Sequence, residues 1–347
     1  RKPEAIAHLK DFIDANPGAP ANDVLRARYW SAWWRFQLAQ SQRGQDGAKD
    51  SALNDLTSIA TDAPLHFYGV MAFSRLQSLA PDLAKGIARP AMLSLGAAPQ
   101  APISLDPSAE SEGILKAITL VRSGLPDLGR LYRKDVRAAG GEADASLRAG
   151  LYLEVLGLNA FSVGIARSHI DEARYTKINK DTLPWFALGF PLAFQESVEK
   201  HSKAQGLDPL LLWGLIREES NFDAGVRSWA GAMGLTQLMW PTARDTARKE
   251  GIRVTRSALR QGETNIRLGA RYLGDLLKRF DDYSGLAVPG YNAGPGAVNR
   301  WLKERGDEPF DEWVEQIPYD QTRDYVKRVL GSYQTYHYLY RVEAEPY

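Results

Sequence analysis

Apolar residues recur at helical spacing, three and four positions apart, along almost the whole chain. In the first part of the chain this spacing predicts amphipathic helices over 3–15, 22–40, 48–60 and 66–79. After a break it predicts two further helix pairs, over 109–123, 126–138, 143–157 and 160–174. Consecutive short helix pairs are typical of an α-solenoid, although no strict repeat period is present. The pattern therefore predicts a mainly α protein that begins with a superhelical, solenoid-like region.

Two stretches of unusual composition divide this helical chain. Residues 88–107 contain four prolines and no clear period, which indicates an extended connector. The apolar stretch LPWFALGFP at 183–191 is punctuated by prolines and marks a second boundary. We therefore predict the end of a superhelical domain at 1–87, a connector with linker helices at 88–183, and a last domain at 184–347. In the last domain the spacing predicts helices over 190–205, 208–220, 241–251, 263–280, 294–305 and 319–341.

The bulk composition excludes several classes of function. The chain has 347 residues, 44% hydrophobic and 24% charged, and a net charge of +1, so nucleic acid is not the expected partner. It contains no cysteine, which excludes disulfides, zinc–thiolate sites and cysteine nucleophiles. No apolar run approaches the ~20 residues that cross a bilayer, and the five histidines lack paired ligand spacing. We therefore expect no membrane span, no metal and no cofactor.

The predicted helix over 208–220 carries the first candidate catalytic group. Asp208 and Pro209 suit its N-cap and first helical position. Glu219 continues the apolar stripe of this helix, whereas Glu218 lies about 100° around the axis. Burial against hydrocarbon raises the pKa of a carboxyl group and keeps it protonated, as a general acid requires. In isolation, however, a capped or salt-bridged structural glutamate would be the better interpretation of Glu219.

Two later runs supply groups that suit the binding of an acetamido sugar. In GLTQLM (234–239), Gln237 can donate and accept hydrogen bonds, and Met239 offers a polarizable contact. In GYNAGP (290–295), a glycine-rich turn carries Tyr291 and Asn292. Each residue also has a structural interpretation: Met239 as core, Gln237 as a surface amide, and Tyr291 as a buried strut. The three runs in this order favour the functional interpretation.

Four motifs together resemble the soluble lytic transglycosylases of the Slt type. They are ES (219–220), GLTQLM (234–239), YNAGP (291–295) and TRDYVKRVL (322–330). The resemblance implies a lysozyme-like, mainly helical catalytic domain over 184–347, preceded by a superhelix and linker helices. It also implies cleavage of the β-1,4 bond between N-acetylmuramic acid and N-acetylglucosamine. The implied partner is the peptidoglycan glycan strand, and the implied location is the periplasm, with a leader removed upstream of Arg1.

The resemblance assigns roles to individual residues of this chain. Glu219 matches the catalytic acid/base, and Ser228 matches a serine that helps to orient the reacting sugar. Gln237 and Met239 match substrate-contacting positions, and Tyr291 matches a tyrosine beside the catalytic glutamate. The remaining candidate binding residues are Asn292, in the same run as Tyr291, and Gln321.

The chain departs from the family pattern at several positions. Thr236 stands where the family usually has Met, Trp240 where it has Pro, and Gly290 where it has Ala. Gln321 stands where the family usually has Glu, so this position keeps hydrogen-bonding capacity but loses charge. The last change favours weakened or altered sugar contacts.

The resemblance implies a single-carboxylate mechanism that ends in a 1,6-anhydromuramic acid product. Asp223 is the nearest further acid in the sequence after Glu219, and we interpret it as a turn residue rather than a nucleophile. Two alternatives stay open at this point. One is a hydrolytic muramidase on the same scaffold, and the other is a non-catalytic peptidoglycan-binding or scaffold protein.

Overall fold

The computed structural model consists of helices joined by short connections. It describes residues 2–16, 21–42, 44–87, 112–123, 125, 143–155, 157–173 and 181–340. The chain divides into two compact units, Arg1–Gly96 with His169–Leu183, and Ala97–Ser168 with Pro184–Tyr347. Among the described residues, the β-structure consists of two isolated bridges. The helical class predicted from the periodicity is therefore confirmed, while the predicted domain boundaries stay a prediction.

The first unit contains five short helices before residue 87. They are α1 (Lys2–Ala15), α2 (Ala21–Ser41), α3 (Asp46–Asp62), α4 (Phe67–Leu79) and α5 (Pro81–Gly86). Neighbouring helices pack as pairs, α1 on α2, α2 on α3 and α3 on α4. Aromatic side chains of α2 fill the space between them, because Tyr29, Trp33 and Phe36 are buried.

The rest of the chain adds twelve helices among the described residues. They are α6 (Glu112–Arg122), α7 (Ala143–Val155), α8 (Asn159–Ala173), α9 (Leu183–Gly189), α10 (Gln195–Gln205), α11 (Pro209–Ser220), α12 (Trp240–Lys249), α13 (Gly262–Arg279), α14 (Ser284–Ala293), α15 (Pro295–Arg305), α16 (Phe310–Glu315) and α17 (Asp320–Tyr340). The helices predicted over 208–220, 263–280 and 319–341 are found with small differences at their ends. The predicted connector at 88–107 and helix at 126–138 lie outside the described residues.

Helix α11 is the central element of the second unit. It packs along α17 and also contacts α10, while α14 packs against both α13 and α17. Its residues from Leu210 to Arg217 are all buried. An almost wholly apolar helix of this kind is stable only inside a core. The last turn of α11 is therefore held rigidly, and it carries Glu218 and Glu219.

Substitution of Gly69 by alanine should destabilise the first unit. A Cβ at this position in α4 would lie 1.8 Å from the main-chain oxygen of Ala63. Helix α4 would have to move away from the end of α3. We therefore expect Gly69→Ala to lower the free energy of unfolding by about 3 kcal/mol. Urea denaturation followed by circular dichroism measures this loss.

Gly47→Ala is the matched control, because nothing lies within 4 Å of a Cβ at this position in α3. It should leave the stability unchanged or raise it slightly. Equal stability of the Gly69→Ala and Gly47→Ala variants would contradict the close packing of α3 on α4.

Candidate active site

Helix α11 ends with two neighbouring acidic residues in different surroundings. The helix begins as predicted, because the Asp208 Oδ1 accepts a hydrogen bond from the Leu210 amide at 3.0 Å. It ends at Asn221, which adopts the left-handed conformation with φ of 48°. Successive side chains on a helix point about 100° apart, so Glu218 and Glu219 meet different partners.

The Glu219 carboxyl group has the properties of a general acid. Its Oε1 accepts a hydrogen bond from the Tyr325 hydroxyl at 2.6 Å. Burial raises the pKa of Glu219 to about 7, although the Tyr325 hydrogen bond lowers it. The nearby charge of Glu218 raises the pKa further, and that of Arg328 lowers it. Near neutral pH this carboxyl can therefore both donate and accept a proton.

Glu218 is also enclosed within the protein, which the sequence pattern did not predict. Its side chain is 1% exposed and forms ion pairs with Arg217 at 2.5 Å and with Arg167 at 3.2 Å. The Ser332 hydroxyl donates to its Oε1 at 2.6 Å. Glu218 is therefore bound within the protein and does not offer a free carboxylate to a ligand.

The segment from Arg227 to Leu238 forms two tight turns beside the end of α11. Met233 pairs with Arg227 in one antiparallel bridge and with Leu238 in the other. The Ser220 hydroxyl donates to the main-chain oxygen of Leu235 at 2.8 Å, which ties the second turn to α11. The order of the ES and GLTQLM runs in the sequence therefore corresponds to direct contact in space.

Asn265 of α13 supports the second of these turns through hydrogen bonds. Its Oδ1 accepts from the Thr236 amide at 2.8 Å and from the Thr236 hydroxyl at 2.7 Å. Its Nδ2 donates to the main-chain oxygens of Met233 and Leu259. Gly234 allows this approach, because a Cβ there would lie 2.3 Å from the Asn265 Nδ2. Thr236 is thus part of a buried polar network.

The candidate residues Ser228, Gln237 and Met239 lie on or next to these turns. The Ser228 Oγ accepts from the Ala232 amide at 3.0 Å and so closes the first turn. Gln237 adopts the left-handed conformation, and its Nε2 donates to the main-chain oxygen of Gly234 at 2.8 Å. The Met239 side chain is 43% exposed, which is not the core position considered as its alternative. Trp229 follows Ser228 and is 96% exposed.

Tyr291 lies on the last turn of α14 and not on a glycine-rich loop as the sequence suggested. The chain turns only at Gly294, where φ is 84°. Tyr291 is buried, and its hydroxyl donates to the main-chain oxygen of Thr236 at 2.9 Å. Burial raises the pKa of this phenol well above its usual value, and the nearby Glu219 adds to the effect. Tyr291 therefore stays protonated and braces the GLTQLM turn close to Glu219.

Asn292 and Gln321 lie where α14 meets the start of α17. The Asn292 Oδ1 accepts a hydrogen bond from the Thr322 hydroxyl at 2.7 Å. Gln321, the neighbour of Thr322, is exposed on the first turn of α17. Asp223, which we interpreted as a turn residue, accepts from the Gly225 amide at 2.8 Å, as that interpretation requires.

The structure brings Glu219, Tyr291 and the GLTQLM turn close together. Glu219 is near Tyr291, and Tyr291 is joined to Thr236, the neighbour of Gln237. Sequence reasoning did not single out Tyr325 or Asn265, although Tyr325 lies within the TRDYVKRVL run. Tyr325 lies six residues after Tyr319, and this spacing marks neither residue as functional. The role of Tyr325 depends instead on the packing of α17 against α11.

Two further findings apply to the described part of the chain. No group of three or more His, Asp or Glu side chains there is arranged to hold a metal ion. No helix within these ranges combines the length and the hydropathy needed to cross a bilayer.

Loss of the Asn265 side chain should destabilise the turn that carries Gln237. Asn265→Ala would leave the Thr236 amide and two main-chain oxygens buried without their partners. We expect a loss of about 3 kcal/mol in the free energy of unfolding, measured by urea denaturation. The exposed Asn54 provides the control, and Asn54→Ala should change little. Equal effects of the two substitutions would contradict a supporting role for Asn265.

Comparison with known proteins places this geometry in a family. A family model described as "Transglycosylase SLT domain" matches residues 196–314, which include Glu219, Gln237 and Tyr291. The soluble lytic murein transglycosylase of Salmonella typhimurium is 35% identical over 160 residues, 45% of this chain and 25% of that protein. The endo-type membrane-bound lytic murein transglycosylase A of Klebsiella pneumoniae (strain 342) is 30% identical over 155 residues, 42% of this chain and 76% of that protein.

Two solved structures share the fold over nearly the whole chain. An inactive mutant of lytic transglycosylase Slt from Pseudomonas aeruginosa has a TM-score of 0.67 at 28% identity, covering 95% of this chain and 49% of that one. The 70 kDa soluble lytic transglycosylase of Escherichia coli has a TM-score of 0.59 at 19% identity, covering 97% and 60%, and it supports the fold alone. The region matched in the soluble curated relatives is about a quarter of their length. The predicted fold class is confirmed, and the chain belongs to the Slt-type lytic transglycosylases.

Proposed function

We propose that this chain is a lytic transglycosylase that cleaves the β-1,4 bond between N-acetylmuramic acid and N-acetylglucosamine in peptidoglycan, in the periplasm. The observation that carries the proposal is the buried Glu219 carboxyl, whose pKa of about 7 suits proton transfer near neutrality. This residue lies within the region matched by the transglycosylase domain model. Relatives named as lytic murein transglycosylases support the same reaction class.

The proposed reaction uses Glu219 first as an acid and then as a base. Glu219 donates its proton to the glycosidic oxygen, and the bond between that oxygen and C1 of the muramic sugar breaks. The acetamido carbonyl of the same sugar stabilises the positive charge at C1. The Glu219 carboxylate then removes the proton of the C6 hydroxyl, whose oxygen bonds to C1. The products are a free 4-hydroxyl group and a 1,6-anhydro ring, and no water is consumed.

The surroundings of the neighbouring acids favour this single-carboxylate course. Glu218 is bound by Arg217 and Arg167, and Asp223 is used in a turn. Neither therefore presents a free carboxylate opposite Glu219, as a two-carboxylate glycosidase requires. The Tyr325 hydroxyl suits both halves of the cycle, because it donates to Glu219 and stabilises the carboxylate formed after proton transfer.

We assign the remaining candidates to the binding of the sugar. The Nε2 of Gln237 is engaged with Gly234, so its Oε1 is the atom that would accept from an acetamido N–H. Met239 would contact a sugar face from its exposed position, and Ser228 would orient the reacting ring. Asn292 and the exposed Gln321 would contact the glycan at the start of α17. The neutral amide of Gln321 would form hydrogen bonds with the glycan but would not attract positively charged groups, as a carboxylate would.

Replacement of Glu219 by glutamine should abolish turnover while the protein stays folded. Glutamine cannot supply the proton, so we expect release of anhydro products to fall at least about a thousandfold. Digestion of purified sacculi followed by mass spectrometry measures these products, which are one water lighter than hydrolytic ones. Glu196→Gln, at an exposed position of α10, is the control and should keep normal activity.

The stability of the Glu219→Gln variant provides a second readout with a defined sign. The pKa of Glu219 rises from 4.5 to about 7 on folding, so its stabilising contribution is complete below 4.5 and is lost as the pH rises through 7. The variant should therefore gain stability relative to the wild type between about pH 5 and about pH 8.

The same digest distinguishes the alternatives. Full activity of the Glu219→Gln variant would contradict the assigned acid. Products that contain the additional water would identify a hydrolytic muramidase instead. Glycan binding by the wild type without release of any product would identify a non-catalytic wall-binding protein.

Removal of the Tyr325 hydroxyl should change the pH dependence of the reaction. This hydrogen bond lowers the pKa of Glu219, so Tyr325→Phe should raise that pKa. The fall of kcat/KM at alkaline pH, where Glu219 loses its proton, should move to higher pH. We also expect kcat to fall about tenfold, since a positioning hydrogen bond to a carboxyl is lost.

Tyr333→Phe is a closely matched control. Tyr333 also lies on α17 and donates to a carboxylate of the α11 region, that of Asp208, at 2.9 Å. Its loss should lower stability slightly and leave the alkaline limb in place. An unshifted limb in the Tyr325→Phe variant would contradict the role given to that hydroxyl.

A further inference from the structure

A buried ionic cluster joins helix α8 to the end of α11. The Glu218 Oε1 accepts from the Arg217 Nη1 at 2.5 Å and from the Ser332 Oγ at 2.6 Å. Its Oε2 faces the Arg167 Nη2 at 3.2 Å and the Arg328 Nε at 3.6 Å. The partners come from three helices, α8, α11 and α17. Charges gathered around a carboxyl that is 1% exposed keep it in its ionised form.

Arg217 cannot turn away from this cluster. Its side chain is fully buried, and its Nε donates to the main-chain oxygen of Gly189 at 2.7 Å. Its guanidinium also lies over the Phe190 ring, 3.9 Å from the ring centroid. Protonation of Glu218 would leave this fixed cation without its counter-ion, so the pair remains charged.

Arg167 contacts the chain on both sides of Glu219. Its Nη2 pairs with Glu218, and its Nη1 donates to the Asn221 Oδ1 at 2.7 Å. Asn221 is the left-handed residue at which α11 ends. One guanidinium from α8 therefore holds the residue before Glu219 and the residue two positions after it. Arg167 lies outside the matched region 196–314.

We propose that Arg167 and Glu218 are positioning residues for Glu219, through which helix α8 fixes the end of α11 and sets the acid strength of Glu219. The proposal rests on the function proposed above. Arg167 binds the side chains of Glu218 and Asn221, which lie on either side of Glu219 in the chain, and Glu218 places a negative charge beside Glu219. That charge opposes the ionisation of Glu219 and favours the protonated form that begins the reaction.

The groups that face Glu219 determine the sign of the expected effect. From α17 they are Tyr325 and Arg328, from α14 it is Tyr291, and from α11 itself it is Glu218. Tyr325 and Arg328 lower the pKa of Glu219, whereas Glu218 raises it. Tyr291 is a neutral phenol, because burial raises its own pKa. Loss of the Glu218 charge alone therefore makes Glu219 a stronger acid.

The test measures kcat/KM against pH on sacculi for three variants of the whole chain. In Glu218→Gln the alkaline limb should move to lower pH, because the opposing charge is gone. In Arg167→Ala the limb should move to higher pH, because Glu218 is less fully neutralised. This variant should also lose about tenfold in kcat with little change in KM, since the catalytic turn is released. Arg167→Lys keeps the positive charge but not the two guanidinium nitrogens that bind Glu218 and Asn221. It should therefore restore the pH of the alkaline limb more fully than it restores kcat.

Glu304→Gln is the control, because Glu304 pairs with Arg305 at 3.9 Å on the exposed surface of α15. This substitution should change neither the pH of the alkaline limb nor kcat. If Glu218→Gln fails to fold, because Arg217 loses its counter-ion, the Arg167 variants decide the question. Arg167 is partly exposed, and its removal leaves Glu218 paired with Arg217. If the alkaline limb of kcat/KM lies at the same pH in every folded variant, the cluster has only a structural role and the proposal is overturned.

Failure of the proposed function can be recognised separately. A wild type that releases no product from sacculi would overturn the function. The cluster would still be tested by a ¹³C NMR titration of the Glu219 carboxyl in the wild type and in the same variants. An unchanged Glu219 titration in Glu218→Gln and Arg167→Ala would overturn the inference.

Discussion

Two neighbouring carboxyl groups on the last turn of α11 are enclosed by one fold and stabilised in opposite ionisation states. Glu218 meets guanidinium groups and a hydroxyl donor, which favour its carboxylate. Glu219 is buried in mainly uncharged surroundings, which favour its neutral acid, while the Tyr325 hydroxyl partly offsets this effect. The helix provides this difference, because a rotation of about 100° separates adjacent side chains. The packing of α17 along α11 supplies partners to both.

The turn that faces Glu219 depends on a second set of buried polar contacts. Asn265 and Tyr291 reach it from α13 and α14, and both bind Thr236. Because these bonds satisfy main-chain groups, the short turns keep one conformation without belonging to a helix or a sheet. Glu219 is thus surrounded by elements that are each fixed through Thr236 or α17. Precision at the carboxyl arises from this polar support as well as from apolar packing.

Sequence periodicity predicted the elements better than the connections between them. Asp208 identified the start of α11, and the apolar stripe identified Glu219 as a carboxyl group whose pKa is raised by burial. These signals are local, because a helix brings residues three and four apart onto one face. The ion pair of Glu218 with Arg167 joins residues 51 positions apart, and Asn265 is 29 positions from Thr236. Such pairs depend on tertiary packing, so a single sequence carries no local pattern for them.

The salt bridge from α8 has a consequence for how the catalytic region can be isolated. The change of composition near residue 184 suggests a natural place to cut the chain. A fragment that began there would lack Arg167 and expose part of the Glu218 carboxylate to water. It could still fold around α11 and α17 and yet carry an acid of different strength. If Arg167 acts as proposed, a fragment that keeps the acid strength of Glu219 has to include α8.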